Sequence, residues 1–509
     1  MQGRGSRPSP PRREAEVWRE QPIKLGLAGV RRYFADRPQD ESWFHSHEEH
    51  KPNTRLRSEG IGNGHAYSAA GVARRLTRYD LQPGSAKPKT TMKDDTYAAL
   101  VALDWGDKTH AFARQIAGAD GIERGAIEAT PEALHAWLEQ LGKTCGGQPV
   151  ALAVEAGRNA LLYALLEHPW LTVYPVHPAT SARFRTAFTP SGAKDDGPDA
   201  VVILTLLRVH RTQLQPLILD TPATRELAAL VVARRGAVDH RTRTANQLGS
   251  VLKGYFPQAL TLAGDDLTQP LALAFLRRFP ALSAVQKVRP ATLGAFYREH
   301  NVRSAERIAG RLQLAAQARP LLQDRAVIAP AMLEVALLVD LLEVHAHHIA
   351  LLEARIAEAF AAHPRAELFA ALPGAGPALA PRLLVAFGDQ PGRYPNAASL
   401  QKYAGVAPVR EKSGQKSWTH WRWAAPTFLR QSFVEWAGQS VVHCAWAHAY
   451  YHQQRRAGKA HHAVLRALAF KWIRILWRCW HEQIPYDEQR YLSALHCHGS
   501  SLAVLLPKT

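Results

Sequence analysis

Four carboxylates stand where a folded chain could bring them together: Asp104, Glu155, Asp196 and Asp199. Asp104 closes the apolar run YAALVALD and Glu155 closes PVALAVE. A short apolar run bounded by polar residues reads as a buried strand. Asp196 and Asp199 lie three residues apart, flanking the start of a helical pattern at Pro198, so both can face one side. Strand ends place side chains at a sheet edge, where a cleft can form. Carboxylates are hard oxygen donors, and four converging ones suit two Mg²⁺ ions. Two such ions about 4 Å apart activate an attacking oxygen and stabilise a leaving one in phosphodiester chemistry. Singly, each residue has a plainer reading as a turn or cap, and Asp196 reads as an N-cap for the helix at Pro198. Asp195, one turn before Asp199, is an alternative to Asp196; Asp107 is an alternative near Asp104.

The elements that would position these residues alternate. Strands are expected at 97–104, 110–117 and 122–129, the last two as antiparallel neighbours of the first across Gly/Asp turns. Thr130-Pro131-Glu132 starts a helix by cap, N1 proline and acidic first turn. Strand 149–155, helix 158–167, strand 171–176 and helix 198–209 follow. An antiparallel meander followed by alternating units is the layout of an α/β RNase H-like domain, here spanning 92–215.

Residues 216–368 read as a helical segment. Within it, Ala329 to Phe360 has near-heptad spacing, which suits an intramolecular helix pair or a dimerisation coiled coil. A mostly α unit follows over 369–487, and the tail 488–509 reads as poorly determined. At its start, LPGAGPALAPRLL resembles a helix-hairpin-helix turn, where Gly374 and Gly376 would let backbone N–H groups approach a phosphate. Phe433, Trp436 and Trp472 fit either helical packing or base stacking.

The formal net charge is +19, from 63 Lys and Arg against 44 Asp and Glu, which suggests a polyanionic partner. No Walker-type phosphate loop and no H-E-x-x-H occurs, which disfavours an ATPase and a zincin. Cys145, Cys444, Cys479 and Cys497 form no C-x-x-C pair, so reduced thiols in a soluble cytoplasmic protein are expected. His345, His347 and His348 beside Glu343 read as a solvated helical face, and His496-Cys497-His498 is assigned no role. Residues 1–91, rich in Arg, Pro, Gly, Ser and His, read as disordered. Met92 then opens folded sequence, which raises the reading that translation starts there; intact Met1 peptides in mass spectrometry would refute it.

The stretches ALDWGDKTH, ALAVEAGRN and SGAKDDGPDA resemble the three signatures of the DEDD transposases of the insertion-sequence one-ten family, the bridge-RNA-guided recombinases. The third signature usually reads Lys-Thr-Asp-x-x-Asp-Ala, and this chain has Asp195 in place of the threonine. Downstream, LQKYAGVAPVREKSGQKS resembles the family's second region, with its Ser-Gly pair at Ser413-Gly414. The resemblance covers roughly residues 96 to 485.

It implies a catalytic domain like a Holliday-junction resolvase, a C-terminal transposase domain, and Ser413 as a nucleophile that joins covalently to DNA. Ser417 is the local competitor. A serine hydroxyl needs activation by a base or metal, which the carboxylates and Mg²⁺ would supply. Arg410, Lys412, Lys416 and Arg430 would serve DNA phosphates. The resemblance further implies a noncoding guide RNA, a homodimer or homotetramer with a site shared between subunits, and a bacterial enzyme on the nucleoid during activity. Two other functions fit the residues: a junction-resolving nuclease that uses water, and a non-catalytic nucleic-acid-binding protein.

Overall fold

A computed structural model describes residues 97–155, 160–188, 196–390, 392–500 and 502–506. The chain divides into units 1–91 and 92–509, and all described residues belong to the second. The expectations for residues 1–91, for Met92 as a start and for Asp195 lie outside the described residues.

The first part of the fold is a five-stranded mixed sheet of order β3-β2-β1-β4-β5. β1 (Ala99–Asp104), β2 (Thr109–Ile116) and β3 (Glu123–Glu128) form the antiparallel meander. β4 (Val150–Glu155) and β5 (Leu171–Val176) extend it in parallel from β1. Alternation gives the sheet two different faces. Val101, Leu103, Val150, Leu152 and Val154 pack under α1 (Pro131–Thr144) and α2 (Ala160–Leu166). Thr130 caps α1, its Oγ1 accepting from Ala133 N at 3.2 Å. The other face is lined by Ala102, Ala113, Ala151 and Ala153. These small residues let α4 (Asp196–His210) lie close on the sheet through Ala200, Ile203, Leu204 and Leu207. Between β5 and α4 runs α3 (Pro178–Phe188), packed on α4. The sequence reading did not anticipate α3, because PATSARFRTAF has no clean apolar stripe.

Two long helices carry the chain onward. α5 (Pro222–Tyr255) and α11 (Arg325–Ala361) lie antiparallel along one another. Arg355 meets Glu226 near one end and Gln247 meets Glu334 near the other. The near-heptad run is therefore partnered within the chain along one face. Between them five short helices, α6 (Ala259–Leu262), α7 (Pro270–Arg278), α8 (Leu282–Gln286), α9 (Pro290–Glu299) and α10 (Ala305–Gln317), enclose a core of their own around Phe275, Phe279, Phe296 and Tyr297.

The remainder is mostly helical: α12 (Ala366–Ala370), α13 (Gly376–Phe387), α14 (Ala397–Tyr403), α15 (Thr427–His443), α16 (Ala445–Arg456), α17 (His461–Glu482) and α18 (Glu488–Cys497). One hairpin, β6 (Val409–Ser413) and β7 (Lys416–His420), interrupts it. The reading of 488–509 as a poorly determined tail is corrected at α18. Asp487 caps this helix, Leu492 is buried, and Glu488 accepts from Ala445 N at 3.0 Å. No helix among the described residues is long and apolar enough to cross a membrane.

Candidate active site

Strand alternation decides where two of the carboxylates point. Ala102 in β1 and Ala153 in β4 face α4. Side chains two residues on share their side, so Asp104 and Glu155 are presented toward α4. Leu103 pairs with Val154 in parallel register, so the two carboxylates end adjacent strands side by side. Asp199 sits in the first turn of α4, one residue before Ala200, which is buried on the same sheet face. Asp104, Glu155 and Asp199 thus share one end and one face of the sheet. Asp196 opens the same helix; its side chain is outside the described residues.

α3 holds this cluster from the side. Ser181 and Arg185 are one helical turn apart and face the same way. Ser181 Oγ donates to Glu155 Oε2 at 2.8 Å and is itself buried. Arg185 Nη1 pairs with Asp199 Oδ2 at 2.7 Å. Both partners are largely withdrawn from water, with 20% and 11% of their side chains exposed. The pair is therefore less screened than a surface ion pair. Sequence spacing gave no sign of Ser181 or Arg185, since their partners lie in other elements. Among the described residues no three His, Cys, Asp or Glu side chains gather as a metal-holding group; Asp199 is turned to the guanidinium.

Ser413 lies at the tip of a different element. It ends β6 and pairs with Lys416 across the two-residue turn Gly414-Gln415. Gly414 takes φ +57°, a left-handed conformation that glycine adopts without a Cβ penalty. Residues 410–419 are all exposed, so the hairpin stands off the body and Ser413 is not packed against the carboxylates. Lys412 and Lys416 flank it, exposed, while Arg410 Nε donates to Ser417 Oγ at 2.9 Å across the hairpin. Glu411 accepts from His420 at 2.9 Å and holds that imidazole's pKa above its ordinary value.

Other expected contacts are used internally. Arg430 lies over the Trp421 ring at 4.9 Å, with Arg466 over the same ring at 4.0 Å, and donates to the Arg422 carbonyl. A Cβ on Gly374 would come within 2.8 Å of the Gln439 backbone, so that glycine is needed for close approach to α15. Gly376 opens onto free space. Phe433, Trp436 and Trp472 are fully buried, which decides for packing over stacking. Trp418 and Trp423 on and after the hairpin are exposed instead. Glu343, beside the His345 cluster, pairs with Arg277 at 2.8 Å.

Two family models match separate parts of the chain. One, a transposase model for the DEDD domain of IS110 elements, covers residues 101–257. The other, described as transposase IS116/IS110/IS902 family, covers residues 366–452. The first takes in most of β1 and all of β4 and α4, with Asp104, Glu155 and Asp199; the second takes in the Ser413 hairpin. The "Mini-circle putative transposase for IS117" of Streptomyces coelicolor is 27% identical over 79% of this chain and 99% of its own length. The 43.6 kDa protein of insertion element IS110 from the same organism is 28% identical over 59% of this chain and 74% of its own. The 44.8 kDa protein of insertion element IS116 from Streptomyces clavuligerus is 28% identical over 64% of this chain and 81% of its own. With carboxylates at one sheet end, a serine on a basic hairpin, and matches over both regions, the chain belongs to the IS110 family of transposases.

Proposed function

We propose that this chain cleaves and rejoins the DNA of a mobile element, using Mg²⁺ held by an RNase H-like domain and a serine nucleophile on the β6–β7 hairpin. The observation that carries the reading is the placement of Asp104 and Glu155 on neighbouring parallel strands, facing the helix that begins with Asp196 and Asp199. These four residues would supply an all-oxygen donor set suited to Mg²⁺, which when bound would stabilise charge on the oxygens around phosphorus. Binding would require Asp199 to exchange Arg185 for the ion.

The hairpin supplies the other half. Ser413 Oγ attacks a DNA phosphorus, forming the Oγ–P bond while the bond to the 3′ oxygen breaks. The serine proton passes to a base, the 3′ oxygen is protonated, and a phosphoserine and a 3′-hydroxyl result. Lys412 and Lys416 would neutralise the phosphate as it is engaged. Because Ser413 is exposed and stands off the body, the carboxylates it works with would belong to another subunit of a dimer or tetramer. A noncoding guide RNA would choose the DNA, and the exposed basic hairpin is compatible with either nucleic acid.

Denaturing gels test the chemistry. Ser413→Ala should abolish the covalent protein–DNA adduct while sparing DNA binding. Asp104→Asn should abolish Mg²⁺-dependent strand cleavage. Cleavage by Ser413→Ala, with no adduct from the unaltered protein, would instead establish a nuclease that uses water.

A further inference from the structure

The residue after Asp104 is an exposed tryptophan that is nevertheless firmly held. Trp105 is 42% exposed. Its ring stacks on the imidazole of His110, with centroids 4.5 Å apart and 22° between planes. His110 is only 3% exposed. Gly106 N–H donates to its Nδ1 at 3.4 Å, which leaves the proton on Nε2 of a neutral ring. Burial pushes the His110 pKa down, which favours the neutral ring. The turn joining the two rings is tight, since a Cβ on Gly106 would lie 2.2 Å from the Thr109 carbonyl oxygen. One face of the indole is thus backed by a buried neutral ring, on a braced turn, and part of the residue stays open to solvent.

Its position relative to the carboxylates is specific. Asp104 pairs with Ala111, and Ala111 packs on the α4 side of the sheet. His110, one residue earlier, falls on the opposite side. The indole therefore stands across the tip of β1 from Asp104, displaced from where a phosphate would meet the carboxylate. A base attached to a neighbouring nucleotide would project there. Every base has a π-face, so such a surface accepts any of them, and bases inside an intact duplex are hidden from it.

We propose that Trp105, backed by His110, is a stacking platform for an unpaired DNA base next to the phosphate that the carboxylates address. The proposal rests on the reading of Asp104 and Glu155 as the DNA-cleaving site. Its test is made without cleavage, so that the two can fail separately.

The probe is a forked DNA with 5-iododeoxyuridine in its unpaired arm, irradiated with the full-length protein in EDTA. The expected result is a uracil adduct on the peptide bearing Trp105, retained in Asp104→Asn and in Trp105→Phe. Trp105→Leu should lose the adduct and bind the fork about tenfold more weakly. The dependence of affinity on salt should not change in Trp105→Leu, because no phosphate contact is lost. An adduct confined to other peptides would overturn the proposal, as would equal loss of affinity in the Leu and Phe variants. An adduct only when the arm is RNA would overturn the DNA assignment. A Trp105→Leu variant with unchanged fork affinity but altered oligomeric state would assign the indole to a protein contact. In Asp104→Asn, cleavage lost with the adduct kept supports both readings; cleavage kept refutes only the carboxylate reading.

Discussion

If the proposed Mg²⁺ site uses Asp199, Arg185 and the cation would compete for one carboxylate. The guanidinium already meets Asp199 at 2.7 Å, in a pair with little exposure to water. Binding an ion through Asp199 must first break that contact, and the broken pair leaves a partly buried charge behind. Removing the arginine removes the competitor. Arg185→Gln should therefore lower the Mg²⁺ concentration that gives half-maximal strand cleavage, as measured by titration. An unchanged or raised midpoint would show that Asp199 does not take part in metal binding. Neither this pair nor the Ser181–Glu155 bond was legible in the sequence. Asp104 and Glu155 were, because each ends an apolar run whose alternation fixes its face. Ser181 and Arg185 act on residues of other elements, and no spacing within PATSARFRTAF could reveal partners in β4 and α4.

Elements are locked together in a comparable way where α5 begins. Asp389, just past the end of α13, accepts hydrogen bonds from Thr221 N at 2.9 Å and Thr224 Oγ1 at 2.7 Å, and from the Thr221 hydroxyl. It thereby caps a helix from a distant part of the chain. His363 Nε2 lies 2.8 Å from Thr224 Oγ1 and extends the network. Burial alone would raise the Asp389 pKa, but the threonine hydrogen bonds outweigh it and bring it to about 2, from an ordinary 3.8. A depressed carboxylate contributes stability above its unfolded pKa and loses it as pH falls through the folded one. The shift corresponds to roughly 2 kcal/mol. Asp389→Asn should cost about that much at pH 7, and the gap should close between about pH 3.8 and 2. Urea midpoints of both proteins at pH 7 and pH 3 would show it; a pH-independent gap would refute the assignment. Thr221-Pro222 suits a helix start by residue type, which the reading of 216–368 as helical did not single out, and no spacing reveals a carboxylate 168 residues away that supports it. The same limit applies to the five short helices between α5 and α11. Their apolar residues read as helix, while the separate core they build depends on contacts across the insert.

At the scale of the whole molecule, α11 has two apolar faces, of which the described residues cover only one. Val335, Leu338, Val339, Leu342, Ile349 and Ile356 are buried on the first, toward α5 and the short helices. On the other, Leu333, Leu337, Leu341, Val344 and Leu351 are exposed, between 39% and 75%. At 100° per residue these five fall within one quarter of the helix circumference, opposite the buried set. The stripe runs about 27 Å along the helix axis. A surface helix of a monomer has no reason to keep such a stripe, and its three- and four-residue spacings suit knobs-into-holes packing with a like helix. A second copy of this chain meets that requirement through a two-fold axis, because the same stripe serves both sides. It would also bring the hairpin of one copy into an assembly that holds the carboxylates of another, as the proposed shared site requires. Leu337→Glu combined with Leu341→Glu places charges on the solvent face without touching the buried one, so the fold should survive with its melting temperature little changed. Light scattering should then report a smaller assembly than for the unaltered protein. The covalent Ser413–DNA adduct should fall with it, and adding Ser413→Ala protein with an intact stripe should not restore it. An unaltered mass together with an unaltered adduct yield would show that α11 does not join the copies.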